Sequence, residues 1–358
     1  MSDESAPEWR EYPDGSKYLG QWENGKRHGH GIYEFKNGDK YEGNWKEGKM
    51  NGHGIFVWAN GDRYEGEWEK GRICGQGTKT LTNGDKYTGE WKDDKANGFG
   101  SKEFTAGDSH QGMYLNDKRH GFGVYKWANG DVYSGQWNYG KMHGYGTKRM
   151  SDGSVYDGGW KDDRAHGHGT KTFPTGDIHM GQYQEDHRHG FGVYRWHNGD
   201  TFEGYWHKGE QTGKGTYTYH QQETTFQGEW LNGQKHGTGI HTLPQEQKTF
   251  REVWEHGVLK SQEPIDFIPS RMLATVPQAP EDEEKKELLA EIERLKAQAE
   301  PPAPENEDNR CRVCYEKAID CVLIKCGHLC VCHGCSSKLE KCPFCRLVIE
   351  QVVRVFRV

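Results

Sequence analysis

Tyr41 to Asp62 reads YEGNWKEGKMNGHGIFVWANGD, and its first five residues decide how the chain folds. In Tyr41-Glu42-Gly43-Asn44-Trp45 the side chains alternate, so Tyr41, Gly43 and Trp45 share one face of a strand while Glu42 and Asn44 take the other. That is a half-buried strand. Glycine weakens a strand interior unless something approaches closely, and here it leaves a slot between two aromatic side chains that an aromatic from the neighbouring strand can cover. Asn60-Gly61-Asp62 closes the stretch with residues that favour the positive φ of a tight hairpin turn.

The same stretch recurs along the chain with a period of 23, opening at Tyr18, Tyr41, Tyr64, Tyr87, His110, Tyr133, Tyr156, His179 and Phe202. Two further steps of 24 reach Phe226 and Phe250, and the last copy keeps Trp254 and Gly257 before the pattern dissolves, as a cap would. Counted from the opening aromatic as zero, glycine stands at offsets two, eleven and thirteen in nine copies, offset four is Trp or Tyr, and offset seventeen is always apolar. Each unit is therefore two short strands and two turns, and stacking such units gives a twisted antiparallel ribbon rather than a sphere, roughly 100 Å long at ~4.8 Å per strand. A longer period lies over the first: Trp58, Trp127 and Trp196 head near-identical turns 69 residues apart, and the repeat-opening His110 and His179 are likewise 69 apart. Duplication of a triplet explains this, and so does a twist that returns one face every third repeat.

This pattern, Y-x-G-x-W-x-x-G-x-x-H-G-x-G followed by N-G-D, resembles the MORN repeat (membrane occupation and recognition nexus) over about residues 10 to 257. The resemblance implies an elongated antiparallel sheet used for scaffolding, self-association or contact with acidic phospholipids or the cytoskeleton. It implies no chemistry. His28, His120, His143, His166, His189 and His236 precede the offset-eleven glycine, but Asn51, Asn97 and Thr212 replace them, which suits a turn hydrogen-bonder and not a metal ligand. H-G-x-G lacks the following helix that a phosphate-cradling loop needs. The array has no net basic excess for nucleic acid, although Lys26-Arg27, Lys118-Arg119 and Lys141 fall in equivalent turns.

Composition agrees with an aromatic, turn-rich fold: 13 Trp, 18 Tyr and 13 Phe accompany 49 Gly among 358 residues, so the burial falls to aromatics. The net charge of −7 is matched by residues 281 to 309 alone, with eleven acidic against four basic side chains. No apolar run approaches the ~18 residues of a spanning helix, and Met1 to Arg10 lacks the order of a signal peptide, so the expected location is cytoplasmic, with membrane or cytoskeletal association through the repeats. Residues 1 to 257 are the array, and residues 258 to 280, with Pro264, Pro269, Pro277 and Pro280, read as a linker. Residues 281 to 300 (EDEEKKELLAEIERLKAQAE) carry Leu288, Ile292 and Leu295 at helical spacing, as a short coiled coil or a single docked helix. Residues 301 to 309 read as a tether and residues 310 to 358 as a small terminal module.

Nine of the ten cysteines lie in that module, with Cys74 the outlier. The spacing is C-x2-C-x11-C-x-H-x3-C-x2-C-x6-C-x2-C: Cys311, Cys314, Cys326, His328, Cys332, Cys335, Cys342 and Cys345. Eight such donors make two tetrahedral zinc sites, and a segment this short needs the metal to fold, at about 10 kcal/mol per structural zinc. Cys321 and Cys330 are left over; Cys332 with Cys335 forms the C-x2-C knuckle that Cys330 cannot, so Cys330 reads as a small packed residue.

The run from Cys311, with Cys326-Gly-His-Leu329, Lys341-Cys-Pro-Phe-Cys-Arg346 and the terminal Val352 to Val358, is similar to the C-terminal RING fingers of the inhibitor-of-apoptosis and neuralized-like ubiquitin ligases. The resemblance implies a cross-brace, with Cys311, Cys314, Cys332 and Cys335 on the first zinc and Cys326, His328, Cys342 and Cys345 on the second. It also implies that Val313, Leu339 and Pro343 dock a ubiquitin-conjugating enzyme, that Arg346 bridges that enzyme and its thioester-linked ubiquitin, and that Phe356 supports dimerisation and contact with the partner subunit's ubiquitin. The fold expected is thus an all-β repeat sheet of antiparallel hairpins, a short helix and a small two-zinc cross-brace domain. The function expected is ubiquitin transfer to a substrate Lys, the array placing the substrate and a tail-mediated homodimer completing the module. The rival is a noncatalytic scaffold or membrane adaptor whose zinc module serves assembly alone.

Overall fold

The computed structural model describes residues 8–269 in full, and the backbone of three further strands, Cys321–Ile324, Leu329–Val331 and Gln351–Arg354. The helix expected over 281–300 lies outside the described residues. Within residues 8–269 the chain is antiparallel strand throughout, interrupted by one 3-10 turn at Pro244–Glu246. It divides into two compact units. The first runs to Asp177 and includes Gln184–Asp186; the second holds Ile178–Tyr183 and the chain from His187.

The first unit contains the strands from Arg10–Glu11 to Arg164–Thr172, each paired with the next. Strands Lys40–Lys46 and Lys49–Val57 show how one repeat is built: Tyr41 pairs with Phe56 and Gly43 with Gly54. A bulge falls between Gly43 and Trp45, and Trp45 then pairs with Met50. The extra residues opposite the bulge are Asn51-Gly52-His53, and Gly52 takes φ +82°. That is the role of the offset-eleven glycine. The residue before it therefore sits on a strand and not in the turn the sequence reading gave it.

The paired glycines explain the aromatic core. A Cβ on Gly54 would stand 2.3 Å from Tyr41 Oη and 2.5 Å from its ring, and one on Gly43 would meet Gly54 Cα at 2.4 Å. The slot is filled by the tyrosine that opens the same repeat, lying over its own strand's glycine and across to the partner strand's. Tyr41 is fully buried, and its hydroxyl donates to the Asn44 carbonyl at 2.9 Å. Trp45 packs edge-on against both Tyr41 and Tyr18 at 5.1 and 5.5 Å and donates Nε1–H to the Gly31 carbonyl at 3.1 Å. Each repeat thus lends its tyrosine to the next repeat's tryptophan, and each edge-to-face pair adds about 0.5–1.5 kcal/mol beyond burial.

Of the two turns in a repeat, the one within the Lys40–Val57 hairpin has both central residues at positive φ, Glu47 at 51° and Gly48 at 83°. The Asn-Gly-Asp turn differs from expectation. Only Gly38 is at positive φ; the Gly38 N–H donates to the Phe35 carbonyl at 3.0 Å and the Phe35 N–H to the Asp39 carbonyl at 2.9 Å, a three-residue loop. Asn37 keeps an ordinary φ and uses its side-chain oxygen to accept from the Asp39 N–H. Asp39 Oδ1 in turn accepts from the Ala59 N–H of the next repeat at 2.8 Å, and Asp62, Asp85, Asp108 and Asp131 repeat that bond to Thr82, Thr105, Ala128 and Ser151. The aspartate column is a ladder tying neighbouring repeats.

In the second unit the strands from Thr201–His207 to Val258–Ile265 follow the same plan. The sheet runs on past residue 257: Val258–Ile265 pairs with Lys248–Glu255, so the first part of the expected linker is the last strand. Pro264 sits opposite Phe250 there, where an edge strand tolerates a missing N–H. The pattern dissolves because Glu252 replaces the offset-two glycine opposite Gly239. Glu252 is 2% exposed and holds the His241 ring, the Trp254 indole and the Gln262 amide at 2.9 to 3.0 Å.

Candidate functional site

Two regions carry chemistry beyond packing: a series of cation positions along the array, and the terminal cysteine-rich module.

At offset nine, opposite the offset-four aromatic, some repeats carry a long cation. The Arg27 guanidinium lies 4.5 Å from both the Tyr33 and Trp45 rings and donates to the Gly48 carbonyl at 3.0 Å. Arg119 does the same on Tyr125 and Trp137 at 4.6 and 4.2 Å, donating to Gly140 at 2.9 Å. In the second unit Arg188 covers Trp206 at 4.3 Å and donates to Gly209, and Lys235 lies 3.9 Å from Phe226 and 4.4 Å from Trp254. The repeat alignment places Arg27 and Arg119 in turns; the structure shows each on a strand and held in a slot between rings. The signal that finds them is an aromatic six residues on.

Other repeats carry Ile73, Ala96, Met142 or Ala165 at this offset, and there the turn of the following hairpin ends in aspartate. Asp94, Asp117, Asp163 and Asp186 sit at φ 67–71° and accept from the Ile73, Ala96, Met142 and Ala165 N–H groups at 2.8 Å. The side-chain bond compensates for a conformation that otherwise favours glycine.

Two repeats open with histidine. His110 and His179 are 1% and 0% exposed, with Nδ1 at 2.8 and 2.9 Å from the hydroxyls of Tyr114 and Tyr183, and no partner on Nε2. Burial, with the nearby Arg119 or Arg188 charge, lowers each ring's pKa to about 3, so both are neutral. In the column before the offset-eleven glycine, His28 Nδ1 lies 2.9 Å from a Glu23 carboxylate oxygen, whereas the buried Nδ1 atoms of His120 and His143 have no partner. Cys74 belongs to that column, which the sequence reading passed over.

In the terminal module, Cys321–Ile324 is the centre of a three-stranded antiparallel sheet. Gln351–Arg354 pairs with it through Cys321–Arg354, Val322–Val353, Leu323–Val352 and Ile324–Gln351, and Leu329–Val331 takes the other edge. Val352 and Val353 are thus on a strand, and the leftover Cys321 and Cys330 both fall on strands of this sheet. All eight expected ligands lie outside the described residues, as do Val313, Leu339, Pro343, Arg346 and Phe356. The donor set itself, seven thiols and one imidazole with three C-x2-C pairs, fits zinc.

Comparison with known proteins supplies the rest. A family model described as a C3HC4-type zinc finger (RING finger) matches residues 307–352. The MORN-repeat model matches ten segments between residues 18 and 245, opening at the residues the 23-residue period picks out. Human E3 ubiquitin-protein ligase RNF34 is 34% identical over 84 residues, 21% of this chain and 23% of that protein. Rat E3 ubiquitin-protein ligase rififylin is 43% identical over 51 residues, 14% of each chain, and mouse E3 ubiquitin-protein ligase NEURL1B is 40% identical over 63 residues, 15% of this chain and 12% of that protein. The chain therefore spans less than a quarter of the length of these relatives. Among solved structures, the SAS-4 TCP domain of Drosophila melanogaster aligns with 51% of this chain and 94% of its own at 12% identity, with a TM-score of 0.29, too low to build on. With its repeats matched one after another over most of its length and the finger matched behind them, the chain belongs to the MORN-repeat proteins and carries a C-terminal RING-type zinc finger.

Proposed function

We propose that this protein is a RING-type ubiquitin ligase in which the MORN array binds the substrate. The observation that carries the reading is the eight-donor spacing from Cys311 to Cys345, in the stretch matched by the RING model and shared with relatives named as ubiquitin ligases. Two zinc ions, held by Cys311, Cys314, Cys332 and Cys335 and by Cys326, His328, Cys342 and Cys345, supply the folding free energy of the module. Seven of the module's nine thiols are committed as ligands, with Cys321 and Cys330 outside the donor set, and catalysis lies in positioning.

Val313, Leu339 and Pro343 form the surface on which a charged conjugating enzyme docks. Arg346 bridges that enzyme and its ubiquitin, since a planar, always-charged donor fork bonds two carbonyl groups at once. A substrate Lys amine attacks the thioester carbonyl; the C–N bond forms as the C–S bond breaks, the conjugating enzyme's thiolate leaves, and the amine proton passes to solvent. The tail from Val352, with Phe356, joins two copies. The test is a self-ubiquitination assay of the full chain with activating enzyme, ATP, ubiquitin and a panel of conjugating enzymes. Ubiquitin ladders that vanish for Cys311→Ser support the ligase; no ladder with any conjugating enzyme returns the reading to a noncatalytic scaffold.

A further inference from the structure

Arg27 and Arg119 each fill one position in their repeats, stacked on aromatic rings beneath the turn of the following hairpin. In the repeat that opens at Tyr87 that position is Ala96, 5% exposed, and an open cleft stands over it. Its wall is the buried set Tyr87, Trp91 and Tyr114, with Tyr114 in the place that Trp45 and Trp137 take under Arg27 and Arg119. Three lysines share the cleft: Lys102, at the repeat position that Tyr33 and Tyr125 take beside Arg27 and Arg119, has its Nζ 4.7 Å over the Phe104 ring, Lys79 Nζ lies 4.6 Å over Trp58, and Lys86 lines the cleft with Asp85.

At the turn end stand Asp94 and Asp117. Each uses Oδ1 on a backbone N–H, of Ile73 and Ala96, and neither carboxylate has an ion-pair partner among the described residues. Their neighbour Asp93, by contrast, is paired with Arg72 at 2.9 Å. The Ala96 cleft thus has an aromatic wall, two carboxylates without an ion-pair partner among the described residues, and, with Tyr114 as one of its two flanking side chains, the repeat position that elsewhere in this molecule holds a guanidinium.

We propose that the Ala96 cleft is a docking socket for an arginine side chain of a basic partner peptide. The guanidinium stacks on Tyr114 as Arg27 stacks on Trp45, and bonds to the free oxygens of Asp94 and Asp117 where Arg27 bonds to the Gly48 carbonyl. Ammonium is a poorer fit, because it lacks the planar face and the fork. This deepens the reading of the array as the substrate-binding part. It is tested by binding alone, so its failure and that of ligase activity are separable.

The probes are dye-labelled glycine-spaced peptides carrying two arginines or two lysines, titrated with the zinc-loaded full chain at physiological salt and read by fluorescence anisotropy. The arginine peptide is expected to bind about tenfold tighter than the lysine peptide. Ala96→Arg, which fills the socket from within, should weaken it about tenfold; Gln76→Arg, which adds the same charge at an exposed position on the other face, should change it less than about twofold. Asp117→Asn, which keeps an acceptor for the Ala96 N–H and tolerates positive φ, should weaken binding about fivefold while preserving the circular dichroism and the melting temperature. Equal binding of the two peptides, or an Ala96→Arg effect no larger than that of Gln76→Arg, overturns the socket.

Discussion

Gly54 and His110 show how far single residues carry this fold. A methyl at position 54 would enter the Tyr41 ring and the ring cannot retreat, because Trp45 and Trp68 pack against it at 5.1 and 5.4 Å. Gly54→Ala should cost about 1–3 kcal/mol by overpacking, read as a lower urea midpoint. His110 gives the fold a pH dependence. The folded ring stays neutral down to about pH 3, while the unfolded ring takes a proton below its ordinary value near 6.5, so the unfolded state holds more protons between those limits. Stability is unaffected above pH 6.5 and falls as pH drops through that window, by up to about 1.4 kcal/mol per pH unit for each of His110 and His179. Restoring the common ring pair with His110→Tyr and Tyr114→Trp together should reduce the stability lost between pH 7 and pH 5. An unchanged loss, measured by urea unfolding at both values, would show that the buried imidazole is not its source.

Turns are where sequence and structure part. The alternation in Tyr41 to Trp45 states the strand faces outright, because side-chain direction follows from period two alone. Asn-Gly-Asp does not state its own turn type: the hairpin closes over three residues, with only the glycine at positive φ, because aspartate is engaged by the next repeat. A bond between residues twenty apart leaves no local mark. The Gly-or-Asp choice at the other turn has the same origin, since its partner lies one repeat back. Gly71 sits at φ 88° with no atom within 4 Å of an added Cβ. Gly71→Ala should therefore cost about 1–2 kcal/mol in backbone strain, whereas Gly71→Asp should recover much of that loss by accepting from the Met50 N–H. Equal melting temperatures for the two variants would refute the compensation. Sequence marked residue 257 as the end of the array, yet Val258–Ile265 continues it, because a terminal strand needs backbone pairing and not the aromatic pattern.

For the whole chain, the repeat fold and the zinc finger answer different questions. The finger was legible because ligand chemistry fixes residue type and spacing together, whereas Arg346 and the docking residues rest on resemblance to a family. Cys311→Ser should release zinc, and metal analysis of the purified full chain should fall from two ions per chain; a variant that keeps both refutes the ligand assignment. Arg346→Ala should keep both ions, since it removes a donor fork and no ligand. The central claim is that this finger promotes ubiquitin transfer by positioning. It is tested most directly by single-turnover discharge of ubiquitin from a preloaded conjugating enzyme onto free lysine, with the unaltered chain, Arg346→Ala and Cys311→Ser compared at equal concentration. The account predicts rapid discharge with the unaltered chain, a loss of about tenfold or more for Arg346→Ala with both zinc ions retained, and background rates for Cys311→Ser. Discharge by zinc-replete Arg346→Ala at the unaltered rate would contradict it.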